Sequence, residues 1–142
     1  MEPKSYGYTA QVNTVGNVDY TYRPLLDVEV GSDTKSRSFK ALVDSGTDIT
    51  VMDQSIAELL EISPKGRRRG QLSGVGSAKD GFIAPVSLKI DKFPDDTFNF
   101  RVLFVENLSK NFEIILGQHD FFLNFTVTFK KAESLFYLER LQ

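Results

Sequence analysis

Cysteine is absent from this 142-residue chain, and histidine occurs once, at His119. The first absence excludes disulfides, thiolate metal sites and cysteine nucleophiles. The second leaves a histidine-based triad or a multi-histidine metal site hard to assemble. An excess of charge is missing too. Lys and Arg number 17 against 19 Asp and Glu, a net charge of −2, which gives no electrostatic reason to expect nucleic acid. No apolar run approaches a membrane span, and the opening residues carry no signal-peptide core, so the expectation is a cytoplasmic protein with no membrane partner. Without a secretion signal, the sequons Asn107-Leu108-Ser109 and Asn124-Phe125-Thr126 are read as chance matches. Internal repeats and low-complexity tracts are lacking as well.

What remains is ordinary for a soluble globular protein, with 41% hydrophobic and 25% charged residues. The length fits one domain over residues 1–142 with a real core at about 20–140, preceded by a first strand or ordered arm over 1–19. Tyr20 to Val30 alternates apolar and polar, as does Phe98, Phe100, Val102 and Phe104, and both segments predict strands. Phe93-Pro94-Asp95-Asp96 reads as a turn, and Pro85 inside the Phe82–Ile90 run asks for an edge position. Asp53 reads as the N-cap of a short helix over Ser55–Leu60, and a second helix is expected from about Gln118 to Leu123. Pro64 to Gly70 is a polar loop whose basic cluster, Arg67-Arg68-Arg69, reads first as solvated and second as a seat for an acidic partner.

The most informative stretch is Ala41-Leu42-Val43-Asp44-Ser45-Gly46-Thr47-Asp48. Three apolar residues predict a buried strand, so Asp44 sits where that strand leaves the core. A carboxylate there is costly unless it is hydrogen-bonded or has a chemical task. Ser45 places a hydroxyl beside it, and Gly46 permits a sharp turn and close approach of another chain. The plain alternative is an Asp turn that caps a strand end.

Context decides between them. The stretch resembles the catalytic loop of the retropepsin-like aspartic proteases, a hydrophobic strand ending in Asp-Thr/Ser-Gly. The second signature of that family, an apolar pair and a glycine opening a short helix, is matched by Ile114-Ile115-Leu116-Gly117-Gln118-His119-Asp120-Phe121-Phe122. Between them Leu72-Ser73-Gly74-Val75-Gly76-Ser77 resembles the flap hairpin, although Lys79-Asp80-Gly81 is an equally good turn. The resemblance runs from about Tyr22 to Leu138. It implies an all-β, closed acid-protease barrel with one or two short helices. The hairpin expected at the C-terminal end, around Lys130-Lys131-Ala132-Glu133, is more like cellular than retroviral members.

The resemblance also implies chemistry. Peptide hydrolysis of this type needs two carboxylates a hydrogen bond apart that share one proton, because like charges that close cannot both ionise. The chain supplies one Asp-Ser-Gly, so a working site demands a second copy related by a two-fold axis. By resemblance Asp44, Ser45 and Gly46 form the catalytic turn, with Ser45 bonding across the axis. Thr47, Asp48, Gly74, Val75 and Gly76 would contact a polypeptide substrate, and neither a metal nor another cofactor is implied. Gln118 stands where retroviral members carry an arginine that pairs with the residue matching Asp48. A bond from Gln118 to Asp48, or a charge from Arg23 of the same chain or across the interface, would be the replacement. That departure also keeps open a catalytically inactive binding or scaffolding module built on the same fold.

Overall fold

A computed structural model describes residues 2–12, 20–73 and 78–142. Twelve strands and two short α-helices follow one another along the chain: β1 Lys4–Gly7, β2 Thr9–Val12, β3 Tyr20–Arg23, β4 Leu25–Gly31, β5 Ser36–Val43, β6 Val51–Asp53, α1 Gln54–Leu59, β7 Arg68–Leu72, β8 Lys79–Ile90, β9 Phe93–Val105, β10 Ile114–Leu116, α2 Phe121–Asn124, β11 Phe125–Lys130 and β12 Leu135–Arg140. The order β4-β5-β10-β6-β9-β8 closes on itself because β8 also pairs with β4, giving a six-stranded barrel with β7 added outside β8. Closure removes the open edges that a flat sheet of this size would expose. A second sheet, β1-β12-β11, carries the expected C-terminal hairpin, and β2 pairs with β3.

The alternating residues point where the sequence places them. Phe82, Ala84, Val86 and Leu88 of β8 and Phe98, Phe100, Val102 and Phe104 of β9 are buried in the barrel. Phe125 bridges to three rings on two other elements, Phe93 at 5.0 Å and Phe98 at 5.4 Å on β9 and Phe121 at 5.0 Å on α2, between centroids. Burying one such ring stabilises by roughly 1.5–3 kcal/mol, so this aromatic junction ties α2 and β11 firmly to the barrel.

Several boundaries move from their sequence-based positions. Tyr20–Val30 is two strands, because Pro24 lacks an N–H and interrupts the ladder; its carbonyl instead accepts from Val43 N at 3.1 Å. The turn expected at Phe93–Asp96 is made by Asp91 and Lys92, with Lys92 at φ 73°, because Phe93 is drawn into the core. Pro85 is tolerated for a local reason. It pairs with Arg101 on one side, while on the other side β7 reaches only Ile83 and β4 begins only at Ser87. Gln118 to Asp120 form a turn, and α2 starts at Phe121. Arg68 to Gly70, expected in a loop, are the first residues of β7.

Asp53 caps α1 as its sequence predicts, with Ser55 N donating to Oδ2 at 3.0 Å. Its other oxygen accepts from Leu108 N at 2.9 Å, which fastens the loop after β9 to the start of the helix. Burial pushes this carboxyl up, but the bonds from Ser55 and Leu108 and the charge of Lys79 outweigh it and hold the group below its ordinary value. A carboxyl lowered in the folded state adds stability above its ordinary titration range and loses it as the pH falls through its folded value. Asp53→Ala is therefore expected to cost about 1–2 kcal/mol in urea unfolding at neutral pH. The gap from the wild type should close in strongly acid solution.

Candidate active site

The central piece is built by a chain crossing. β10 lies between β5, which it meets in parallel with Leu116 opposite Val43, and β6, which it meets antiparallel with Ile115 opposite Val51. In Ala41–Val43 and Ile114–Leu116 the outer two residues are buried and the middle one, Leu42 or Ile115, is half-buried, so neither run carries a polar residue. Val43 is the last buried residue of β5, and Asp44 follows half-buried at the barrel end, its N–H donating to Leu116 O at 3.2 Å.

From there the chain folds tightly back. Gly46 N donates to Asp44 Oδ1 at 2.8 Å, and Thr47 N reaches Asp44 O at 3.5 Å. A Cβ at Gly46 would stand 3.1 Å from the same Oδ1, so glycine keeps the carboxylate uncrowded. The N–H bond fixes one carboxylate oxygen, and the other forms no hydrogen bond among the described residues. Ser45 is exposed, and neither its hydroxyl nor that of Thr47 has a hydrogen-bond partner among the described residues.

The segment after β10 clamps this turn from below. Gln118 N donates to Thr47 O and His119 N to Asp48 O, each at 2.8 Å. Gly117 passes so close that a Cβ there would lie 2.7 Å from the carbonyl of Ile49 and 2.9 Å from Thr47 O. Its own N–H donates to the Thr50 hydroxyl at 3.1 Å, and Thr50 is fully buried. In the sequence only one sign marks Thr50, a lone hydroxyl between Ile49 and the apolar pair Val51-Met52.

Within one chain, neither candidate for the missing arginine's role meets Asp48. Gln118 does not reach Asp48; its Nε2 donates to Ser45 O at 2.7 Å and so braces the turn directly. Arg23 lies with its guanidinium 5.7 Å from the centre of the Phe112 ring. Among the described residues, the ion pairs are Lys35–Glu61, Lys40–Asp27 and Arg140–Asp96, so Asp48 is not in one. Gly74, Val75 and Gly76 lie outside the described residues. The rival turn at Lys79-Asp80-Gly81 is excluded, because all three belong to β8 and pair with β7 or β9. No three His, Asp or Glu side chains converge in the arrangement of a metal site among the described residues.

No protein-family model and no curated protein matches the chain. Among solved structures it is similar to the EIAV protease in complex with the inhibitor HBY-793, at 24% identity and a TM-score of 0.51, over 67% of this chain and 81% of that one. The barrel is a retropepsin-like fold.

Proposed function

We propose that this chain is one half of a homodimeric aspartic endopeptidase whose two Asp44 carboxylates activate a water between them. The observation that carries the reading is the placement of Asp44: half-buried at a barrel-strand end, one oxygen fixed by Gly46 N–H at 2.8 Å, the turn braced by Gln118. It stands in a fold shared with a retroviral protease. With two such turns face to face, one carboxylate accepts a proton from water as the oxygen attacks the peptide carbonyl. The other, protonated, donates to the carbonyl oxygen. The tetrahedral intermediate then collapses, and a proton passes to the leaving nitrogen.

The free Ser45 hydroxyl is available to bond across the two-fold axis, and Asp48 and Thr47 to meet the backbone of an extended peptide. The β7–β8 hairpin would close over that peptide through Gly74, Val75 and Gly76, excluding water. No metal or other cofactor enters this scheme. The C-terminal hairpin would make the dimer resemble those of cellular members.

A site assembled from two copies has a plain kinetic signature. Cleavage rate per milligram is expected to fall as the protein is diluted, steeply below the dimer dissociation constant, with a matching change of mass in sedimentation. A rate strictly proportional to concentration, or a stable monomer that cleaves, overturns the two-chain site.

A further inference from the structure

A hollow of about 470 Å³ opens on the outer side of the barrel, lined by Ile49, Arg68, Ile83, Arg101, His119 and Asp120. Strand register explains how these residues meet. Arg68 stands opposite Ile83, Ile83 opposite Leu103, and Leu103 opposite Val51, so the four share one face of the sheet. Arg101 lies two residues before Leu103 and Ile49 two before Val51, which brings both to that same face. The inner part of this face is apolar: Val51, Leu103 and Val105 are buried there, with Ile49, Leu72 and Ile83 packed against them.

The hollow adjoins the candidate active site on two sides. Ile49 ends the loop that begins at Asp44, and His119 N holds Asp48 O at 2.8 Å. Arg68 opens β7, the outer arm that pairs with β8 up to Leu72.

Its charges do not cancel. Arg68 and Arg101 are both exposed, and neither forms an ion pair among the described residues. The one carboxylate, Asp120, is half-buried, and its Oδ2 has no hydrogen-bond partner. Burial pushes that carboxyl up, while the neighbouring charges of His119 and Arg101 and the N–H groups of Arg101 and Thr50 pull it down. Two guanidinium groups over an apolar floor, against one shielded acid, suit a visiting carboxylate with a short aliphatic stem.

We propose that Arg68 and Arg101 form a specificity subsite for an acidic side chain, Glu above all, in the polypeptide substrate, outside the two residues that flank the cleaved bond. This rests on the endopeptidase reading of Asp44, and it gives the basic cluster Arg67-Arg68-Arg69 a task that a solvated loop would not have.

The test compares peptide libraries with Glu, Gln or Lys at each position, in cleavage by the intact protein and in binding to Asp44→Asn by fluorescence anisotropy. Glu is expected to be favoured over Gln by roughly five- to tenfold at one position, in both assays and less so at high salt. In Arg68→Glu the ratio should invert toward Lys at that same position, a change that a merely structural arginine would not produce. Arg101→Gln should bring the Glu-to-Gln ratio toward one. No acidic preference in the wild-type protein, or an unchanged preference in Arg68→Glu, overturns the subsite, as does failure of every peptide to bind. If peptides bind with the expected ratios but none is cleaved, the endopeptidase reading fails while the subsite stands.

Discussion

On the proposed two-chain site, Asp44→Asn is expected to lower kcat/KM for any polypeptide substrate by at least about 10³-fold, with the fold and the proposed dimer retained. Oδ1 of Asp44 accepts the Gly46 N–H at 2.8 Å, and an asparagine oxygen can accept the same bond, so the turn has no reason to open. The surrounding bonds, Asp44 N to Leu116 O and Gln118 Nε2 to Ser45 O, do not involve the second carboxylate oxygen. What the substitution removes is the capacity to take a proton from water and to hold one for the scissile carbonyl. In the proposed homodimer the two copies change together, so no intact carboxylate is left to act alone. Circular dichroism and sedimentation should match the wild type while cleavage disappears. Proteolysis that survives Asp44→Asn would locate the chemistry elsewhere, and a barrel that unfolds would make Asp44 a structural cap.

The parts of this site that the sequence makes legible are those governed by local pattern. Ala41-Leu42-Val43 and Ile114-Ile115-Leu116 are apolar because β5 and β10 pair in parallel in the barrel wall, with one face buried in the core and Leu42 and Ile115 half-buried on the other. Asp53 is readable as a cap because the capping bond to Ser55 spans two residues. What escapes is set by long-range crossing. Gln118 and Ser45 are 73 residues apart, and nothing local in the sequence says that Gln118 Nε2 donates to Ser45 O. Thr50 escapes for the same reason, since its hydroxyl is explained by an N–H 67 residues away. Arg68 and Arg69 look like loop residues by charge, yet β7 is added outside β8 and is exposed at both of these successive positions, where arginine costs little.

Gly117→Ala should be the most damaging single methyl group near the site. The added Cβ would meet the carbon and oxygen of the Ile49 carbonyl at 2.7 Å and Thr47 O at 2.9 Å. All three are backbone atoms of the loop that carries Asp44, so no side-chain rotation relieves the contact. Either the loop lifts, which strains the bonds from Gln118 N to Thr47 O and His119 N to Asp48 O, or β10 withdraws from β5. Displacement also pulls Gly117 N from the buried Thr50 hydroxyl and leaves a polar pair unsatisfied. The expected loss is about 3 kcal/mol, or roughly 10 °C in Tm for a protein of this size. Gly7→Ala is the internal control, because nothing lies within 4 Å of a Cβ there, and it should stay within about 0.5 kcal/mol of the wild type. Activity of Gly117→Ala, measured well below its Tm, should fall along with stability, because the contact acts on the same loop that fixes the carboxylate. Asp44→Asn loses catalysis without stability and Gly7→Ala neither, so joint loss in Gly117→Ala would mark the crossing as what holds the acid in position. A Gly117→Ala protein as stable as the wild type would mean that this crossing is looser than its bonds imply.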